Sequence, residues 1–300
     1  MSLSGGHRSV LLHESVEYLA VQASDIVVDA TLGGAGHAAA IVERLGPAGI
    51  FLGIDADTEA IERAHARLQG AAPKIILEQG NFRDVESYLG KHGIPTITKA
   101  FFDLGWSGYQ LAARRGFSFL NNEPLRMTYA DHPSPEALTA ETVVNEWGEE
   151  SIADILWGWG EERYSRQIAR AIVQARREKR ILTSRELAEI VRSAVPAAYR
   201  RGRLHPATKT FQAIRIAVND EIGALKDGLA AAWKRLGADG RIAVITFHSV
   251  EDRAVKDIMR EWARQGEGEL LARKPITPSA QEVRENPRSR SAKLRVIRKI

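Results

Sequence analysis

The order of β-rich and helical segments is the feature that most constrains the fold of this chain. Over about the first hundred residues, short runs of branched and aromatic residues alternate with helical patterns, which is typical of a parallel sheet covered by helices. Strands are predicted at residues 25–29, 49–55, 74–78 and 99–103, with helices at 38–45 and 58–69. The sequence therefore predicts an α/β domain.

The alternation then stops for roughly a hundred residues and resumes near residue 240. Helices are predicted at 134–145, 151–159, 163–178, 184–195 and 208–236, and Thr183 with Glu186 fits a capping box. A buried strand at 240–247, a helix at 250–264 and a strand at 292–298 follow. The alternation within the last strand is typical of an edge strand. We expect one α/β domain with a helical insertion between its fourth and fifth strands.

A glycine-rich loop, Asp29-Ala-Thr-Leu-Gly-Gly-Ala-Gly-His37, joins the first strand to the first helix. Glycines let a ligand approach the backbone, and the start of the following helix turns N–H groups toward the ligand. Asp55 ends the second strand, where a carboxylate can accept from both ribose hydroxyls. The loop is typical of a site for a nucleotide-like cofactor.

The loop pattern alone leaves the cofactor open, because residues 34–39 also match the dinucleotide signature G-x-G-x-x-A. Two details favour S-adenosylmethionine. Asp29 ends the first strand, where it can meet an amino group, and the glycines follow several residues later instead of immediately after the strand. The alternative is that the loop is a tight structural turn and binds no ligand.

Two further strand ends are expected to complete the pocket. Phe82 follows the third strand and could hold an adenine, and Asp103 ends the fourth. In open parallel sheets, ligands bind at the carboxyl ends of the strands. The alternative for Asp103 is a plain helix cap.

Basic residues cluster in two regions of a chain whose net charge is only +4. Residues 161–215 contain 14 Lys/Arg against 5 Asp/Glu, and residues 271–300 contain 9 against 2. Clustered positive charge beside an acidic remainder indicates a polyanionic partner such as nucleic acid. A solvated helix face is the alternative.

Composition excludes several classes of protein. The chain has 0 cysteines, which rules out disulfides, thiolate metal sites and cysteine nucleophiles. The 8 histidines show no metal-ligand spacing, so no metal is expected. No apolar run is long enough to cross a membrane, and the start of the chain lacks a signal-peptide core. We therefore expect a cytoplasmic protein without membrane contact.

The motifs occur in an order that resembles one family, the bacterial 16S rRNA cytosine-N4 methyltransferases (RsmH/MraW). The resemblance covers nearly the whole chain. It rests on the segments 7–14, 29–37, 53–55, 80–82, 103–105, 115–119, 160–163, 168–172, 205–212, 247–253 and 285–291. It implies a Rossmann-like, class I S-adenosylmethionine-dependent methyltransferase core over 1–108 and 205–300, with a helical substrate-recognition insertion over 109–204.

The resemblance also implies a cofactor, a substrate and a partner. The cofactor is S-adenosylmethionine, and the substrate is the N4 amine of a cytosine in the decoding region of 16S rRNA within the small ribosomal subunit. Together with the loop reasoning, the candidate cofactor-binding residues are Asp29, Gly33, Gly34, Ala35, Gly36, His37, Asp55, Phe82, Asp103 and Gln110. Asp103 is also the candidate catalytic residue, because an acceptor on the amine hydrogens would help direct the nitrogen lone pair toward the methyl group.

The substrate side is predicted from aromatic residues and from a set of basic and other polar residues. Trp106, or else Tyr109, is the candidate ring for stacking the flipped cytosine, unless these rings pack against the insertion. The candidate RNA-contacting residues are Arg163, His205, Lys209, Arg215, His248, Asp252, Arg253, Arg288 and Arg290. Alternatively, His248 or Ser249 caps a helix, and the arginines near the C-terminus lie in a solvated loop.

The chain departs from the family pattern at three places. Ala30 stands in a loop that usually reads Asp-Gly-Thr, and Gly105-Trp-Ser-Gly108 stands for Gly-Val-Ser-Ser. In Glu123-Pro-Leu-Arg-Met-Thr-Tyr129, Arg126 replaces the usual carboxylate. Because of this last departure, a catalytically inactive RNA-binding protein remains an alternative. An amino-methyltransferase acting on another nucleic acid or on protein stays open as well, and so does a dinucleotide oxidoreductase. The sequence is compatible with a homodimer.

Overall fold

The computed structural model describes residues 8–104, 114–130, 134 and 136–300. The chain divides into two compact units. The first comprises Met1–Ser107 with Ile222–Ile300, and the second is Gly108–Glu221. The second unit thus ends later in the chain than the predicted insertion, which stops at residue 204. The difference arises because the helix Thr208–Asn219 packs its buried face within the second unit.

The first unit is built on a seven-stranded sheet with the order β3-β2-β1-β4-β5-β7-β6. The strands are β1 (Ile26–Asp29), β2 (Ile50–Asp55), β3 (Lys74–Gln79), β4 (Ile97–Asp103), β5 (Leu236–Thr246), β6 (Gly268–Leu270) and β7 (Lys293–Lys299). The pairs among β1–β5 are parallel, whereas β7 runs antiparallel to both β5 and β6. The predicted α/β class is confirmed.

Helices occupy both units. They are α1 (Leu12–Leu19), α2 (Gly36–Val42), α3 (Thr58–Arg67), α4 (Val85–Lys91), α5 (Ala140–Glu146), α6 (Glu149–Gly158), α7 (Ser165–Glu178), α8 (Ser184–Ala194), α9 (Ala197–Arg200), α10 (Thr208–Asn219), α11 (Glu221–Arg235), α12 (Ser249–Arg264) and α13 (Ala280–Glu285). Short 3₁₀ helices span Phe82–Asp84 and Pro287–Ser291.

Successive residues of the central strands enter two different apolar clusters. Phe51 and Phe101 belong to one, and Leu52 and Phe102 belong to the other. Alternation places successive side chains on opposite faces of a strand, so the sheet is buried on both sides. Burial of each such side chain stabilises the folded state by about 1.5–3 kcal/mol. The packed sheet therefore holds the strand ends, where the site is built, in fixed positions.

The second unit has its own helical core, in which Leu156, Ile168, Leu187 and Ile214 are fully buried. The capping box predicted at the start of α8 is confirmed. The Thr183 side chain accepts from the backbone N–H of Glu186, and the Glu186 side chain accepts from the backbone N–H of Thr183.

Two predictions about the second half of the chain are wrong. The single helix predicted over 208–236 is two helices, separated at Asp220, whose backbone is left-handed at φ 44°. The last strand, β7, is not an edge strand, because it pairs on one side with β5 and on the other with β6. The outermost strand there is β6, only 3 residues long, and such short edges offer little backbone for unwanted pairing.

Among the described residues, no helix combines the length and the apolar character that crossing a bilayer requires.

Candidate functional site

Three carboxylates lie at the carboxyl ends of neighbouring strands. Asp29 ends β1, Asp55 ends β2 and Asp103 ends β4. β1 lies between β2 and β4, so the strand order reverses next to β1. Ligands of open α/β sheets bind in the crevice at such a switch point. The topology therefore brings three of the predicted cofactor residues to one edge of the sheet.

Asp29 is a buried carboxylate with spare hydrogen-bonding capacity. Its side chain is fully buried, and Oδ1 accepts from the backbone N–H of Thr31 at 3.1 Å. Oδ2 is also buried and has no hydrogen-bond partner among the described residues. Burial raises the pKa of Asp29 well above its usual range, and the nearby charges of Asp103 and Asp55 raise it further. A positively charged donor at Oδ2 would offset both effects.

Asp55 ties the glycine loop to the end of β2. Its Oδ2 accepts from the backbone N–H of Gly33 at 2.8 Å, and its Oδ1 accepts from that of Asp57 at 2.9 Å. Burial raises the pKa of Asp55, although these two N–H groups oppose the shift. Gly33 has φ 49°, a left-handed conformation that glycine adopts without steric cost. Each oxygen keeps a lone pair for a further donor.

His37 and Asp103 face each other beside the loop. His37 Nδ1 lies 3.5 Å from Asp103 Oδ2, and Nε2 lies 3.1 Å from the backbone oxygen of Val10. The imidazole is buried and packs on Phe101 at a ring-centroid distance of 4.6 Å. The backbone N–H of Asp103 donates to the Thr31 hydroxyl at 2.6 Å, which joins the end of β4 to the loop.

Phe82 begins the 3₁₀ helix after β3 and is half-buried. Its ring meets Phe102 edge-on at 5.7 Å, and Gly228 of α11 lies against it. A Cβ at Gly228 would come within 2.8 Å of the Phe82 ring. The position of this ring therefore depends on a glycine that the sequence did not single out, because the two residues are far apart in the chain.

The remaining loop residues, Gly34, Ala35 and Gly36, follow Gly33 directly, and Ala35 is also left-handed at φ 55°. Trp106, Tyr109 and Gln110 lie outside the described residues.

Arg215 corrects one expectation for the RNA side. It is buried in the second unit, and its guanidinium donates to both carboxylate oxygens of Glu221 at 2.8 and 3.0 Å. Its charge is thus used inside the fold and is not presented to a polyanion. Lys209 is half-buried and donates to the backbone oxygen of Glu161 at 2.7 Å.

His248 and Asp252 are likewise engaged in the first unit. His248 caps α12, since its Nδ1 accepts from the backbone N–H of Glu251. The capping alternative for this residue is confirmed. Asp252 accepts from Lys293 at 2.8 Å and from Arg295 at 2.7 Å, and although burial opposes the shift, these cations lower its pKa. Both side chains are thus engaged within the fold, whereas Arg253 is exposed, and direct contact of these residues with RNA stays a prediction.

The exposed candidate RNA-contacting residues of the second unit pack on aromatic rings. His205 stacks on Phe119 with ring centroids 4.4 Å apart, and Phe119 packs edge-on against Phe211 in the core. The Arg163 guanidinium lies over the rings of Tyr164 and Tyr199 at 4.8 and 4.9 Å. Neither Phe119 nor Tyr199 was predicted as a site residue, because neither lies at a recognisable spacing from its partner, although Phe119 ends one of the segments that carry the family resemblance. In the first unit, Arg288 and Arg290 are exposed on the 3₁₀ helix Pro287–Ser291.

Comparison with known proteins gives the family. The sequence profile of the MraW methylase family matches residues 4–300. The chain belongs to this family. It is 44% identical over 294 residues to the protein named ribosomal RNA small subunit methyltransferase H of Persephonella marina, covering 98% of this chain and 99% of the relative. It is 42% identical to the protein of the same name from Brevibacillus brevis over 315 residues, covering 100% and 99%.

Among solved structures, an rRNA methylase from Streptococcus thermophilus aligns with 97% of this chain and 98% of its own, at 12% identity and a TM-score of 0.47.

The segment from Glu123 to Tyr129, which departs from the usual sequence of this family, is a packed part of the second unit. Leu125 and Met127 are fully buried, whereas Arg126 between them is exposed. Glu123 is buried and accepts from the backbone N–H of Gly116 at 3.0 Å. Arg126, which stands where the family usually has a carboxylate, therefore lies at the surface between two residues of the core.

Proposed function

We propose that this chain transfers a methyl group from S-adenosylmethionine to the N4 amine of a cytosine in the decoding region of 16S rRNA. The observation that carries the proposal is the group of three carboxylates at the ends of β1, β2 and β4, beside the glycine loop. Membership in a methylase family and relatives named as small-subunit rRNA methyltransferases support it.

The charges at this edge of the sheet fit S-adenosylmethionine better than a dinucleotide. S-adenosylmethionine carries a sulfonium and an ammonium group, whereas a dinucleotide brings an anionic pyrophosphate. Asp29 has a buried oxygen without a partner among the described residues, and its neighbours Asp55 and Asp103 are acidic. A cation is attracted to such a site, and a pyrophosphate is repelled. This argues against a dinucleotide oxidoreductase.

Each part of the cofactor has a residue to hold it in this proposal. Asp29 binds the ammonium group, Asp55 accepts from the ribose hydroxyls and Phe82 packs on the adenine. The backbone of the loop and the residues His37 and Gln110 complete the pocket. When bound, S-adenosylmethionine supplies an electrophilic methyl group on a positively charged sulfur.

Asp103 is the proposed catalytic residue. Its carboxylate accepts a hydrogen bond from the cytosine N4 amine, which orients the nitrogen lone pair, and it then accepts the proton that leaves N4 after methylation. No base is needed beforehand, because the amine becomes acidic only once it is methylated. Trp106, or else Tyr109, stacks the flipped base in this proposal.

The second unit is the proposed RNA-recognition insertion, as the resemblance implies for residues 109–204. It presents the exposed His205 ring stacked on Phe119, and the exposed Arg200, Arg201 and Arg203 precede His205 in the chain. Unpaired RNA bases stack on such rings while arginines contact phosphates. Partial desolvation of the ring, which Phe119 covers on one face, lowers the pKa of His205 and favours the neutral ring at neutral pH.

Arg163 and Lys209 in this unit, and Arg253, Arg288 and Arg290 in the first unit, are proposed to contact phosphates. The partner is the small ribosomal subunit or its 16S rRNA, and the enzyme therefore acts in the cytoplasm without membrane contact. A homodimer is part of the proposal, and sedimentation of the purified protein measures it.

Two experiments test this function. Calorimetry with S-adenosylhomocysteine and with NAD compares the cofactors, and binding of NAD alone would refute the proposal. Mass spectrometry of 16S rRNA from a deletion strain then tests the acceptor, and an unchanged N4-methylcytosine signal would exclude it. Restoration of the signal by the wild-type chain, but not by Asp103→Asn, distinguishes an enzyme from an inactive RNA-binding protein.

A further inference from the structure

A strained turn lies next to the cofactor loop. Leu11 is fully buried and has φ 53° and ψ 36°, a left-handed conformation that a leucine rarely adopts. Non-glycine residues in this region persist only where their surroundings hold them, and they cluster at functional sites. Contacts from elsewhere in the chain must therefore hold Leu11 in place.

The turn is held from the other end of the chain. Glu282, on α13, accepts a hydrogen bond from the backbone N–H of Leu11 at 2.8 Å. Asn286 donates to the backbone oxygen of Arg8 at 3.2 Å, and the Arg8 side chain pairs with Glu285. The contacts from Glu282 and Asn286 thus fix the backbone of the segment from Arg8 to Leu11, which we call the N-terminal segment, whereas Glu285 binds only a side chain.

The N-terminal segment in turn touches the glycine loop at two points. A Cβ on Gly36 would collide with the Ser9 hydroxyl, so the segment lies directly on the loop. The Val10 backbone oxygen contacts His37 Nε2 at 3.1 Å. A carbonyl oxygen only accepts, so Nε2 carries a proton and Nδ1 is the atom that faces Asp103.

We propose that Glu282 is a positioning residue for the cofactor site. By binding the Leu11 N–H, it holds the strained turn in the one arrangement that directs the Val10 oxygen at His37. The ring orientation of His37 is thereby fixed, and this sets the position of Nδ1, which lies 3.5 Å from the Asp103 carboxylate. This inference rests on the proposed function, in which Asp103 faces the cofactor and the substrate amine.

The first test changes only the side chain of Glu282. Glu282→Ala removes the acceptor, and we expect it to weaken binding of S-adenosylhomocysteine about tenfold, the effect of about 1.4 kcal/mol. Glu282→Gln keeps an acceptor oxygen at the same distance, so binding should stay within about threefold of wild type. Equal weakening by both variants would contradict the proposal.

A double-mutant cycle with His37→Gln separates positioning from general destabilisation. If Glu282 acts through His37, Glu282→Ala should weaken binding little further once His37 is replaced. Full additivity of the two effects would overturn the proposal. Glu285→Ala is the matched control, since its partner is the exposed Arg8 side chain, and surface pairs of this kind contribute little.

Nitrogen-15 NMR of His37 reads the positioning without any cofactor. The wild type should show a single, stable Nε2–H state, and Glu282→Ala should shift and broaden the ring signals. If Glu282→Ala fails to fold, Asn286→Ala is a milder probe, because it removes only the bond to the Arg8 backbone oxygen. Unchanged His37 signals in every folded variant would refute the role of Glu282. Failure of the wild type to bind S-adenosylhomocysteine would instead refute the proposed function.

Discussion

The Asp55 carboxylate accepts the backbone N–H of Gly33 at 2.8 Å, so the end of β2 holds the glycine loop that follows β1. The same carboxylate accepts from the N–H of Asp57 at the start of α3. One buried side chain therefore fixes two loops at the switch point of the sheet. In the proposed function the same carboxylate also accepts from the ribose. The ribose thus binds a side chain whose position is already fixed by two hydrogen bonds.

Replacement of Asp55 should weaken cofactor binding in two ways. Asp55→Ala removes the proposed ribose acceptor and also frees the Gly33 N–H, so we expect a loss of about 1–3 kcal/mol in affinity for S-adenosylhomocysteine. Calorimetry measures it. Asp55→Asn keeps one acceptor oxygen and should lose less, whereas unaltered affinity in both variants would mean that Asp55 does not contact the ribose.

Asp29 should make the ligand-free protein lose stability as the pH rises. Because burial raises its pKa in the folded state, the native chain retains a proton that the unfolded chain releases from about pH 4 upward. The free energy of unfolding should then fall between that pH and the folded-state pKa. Asp29→Asn should remove this part of the pH dependence in thermal melts and should also weaken cofactor binding. Parallel pH profiles for the two proteins would argue against it.

Gly228 and Gly90 form a matched pair for testing Phe82. A Cβ at Gly228 would lie 2.8 Å from the Phe82 ring and 3.0 Å from its backbone oxygen, whereas a Cβ at Gly90 would meet nothing within 4 Å. Gly228→Ala should displace Phe82 and weaken S-adenosylhomocysteine binding several-fold. Gly90→Ala, within α4, should leave binding unchanged and stabilise the protein by roughly 0.5–1 kcal/mol. Equal affinities would show that Phe82 does not hold the adenine.

The arginines before His205 should contribute charge to RNA binding. Replacing Arg200, Arg201 and Arg203 with alanine should weaken binding to a 16S rRNA fragment and reduce the salt slope by about one unit for each phosphate that is no longer neutralised. The control is a triple alanine variant of Lys91, Lys234 and Arg264, which are exposed in the first unit. The same slope in both triple variants would mean that this surface is not specific for RNA.

The ion pair between Arg215 and Glu221 should matter for stability. Both side chains are about nine-tenths buried, with exposures of 10% and 9%. Glu221→Ala leaves a buried guanidinium without its partner carboxylate, and removal of one member of such a pair costs about 3–5 kcal/mol. Chemical denaturation measures the change. A loss below about 1 kcal/mol, typical of surface pairs, would show that water solvates this guanidinium.

The strands of the first unit were predictable because their apolar runs are short, branched and bounded by polar residues. The break at Asp220 was not, since the apolar pattern continues on both sides of it and aspartate is ordinary in a helix. The pairing of β7 with β6 also escaped prediction, because a strand of 3 residues carries no periodicity.

The grouping of three carboxylates was predictable from the sequence, because parallel strands end at a common edge and β1, β2 and β4 each end in aspartate. The roles of Arg215, His248 and Asp252 did not follow. A sequence does not show whether a charged side chain pairs with another residue of the fold or faces solvent. The partners of Asp252, Lys293 and Arg295, lie on the last strand.

The pairing of β4 with β5 has a consequence for the order of folding. These neighbouring strands are separated in the chain by the whole second unit. During synthesis, β1–β4 can associate early, but one side of β4 stays without a strand partner until the second unit has been made. Contacts of such high sequence separation form slowly. The nascent chain should therefore expose an aggregation-prone strand edge until β5 has been synthesised.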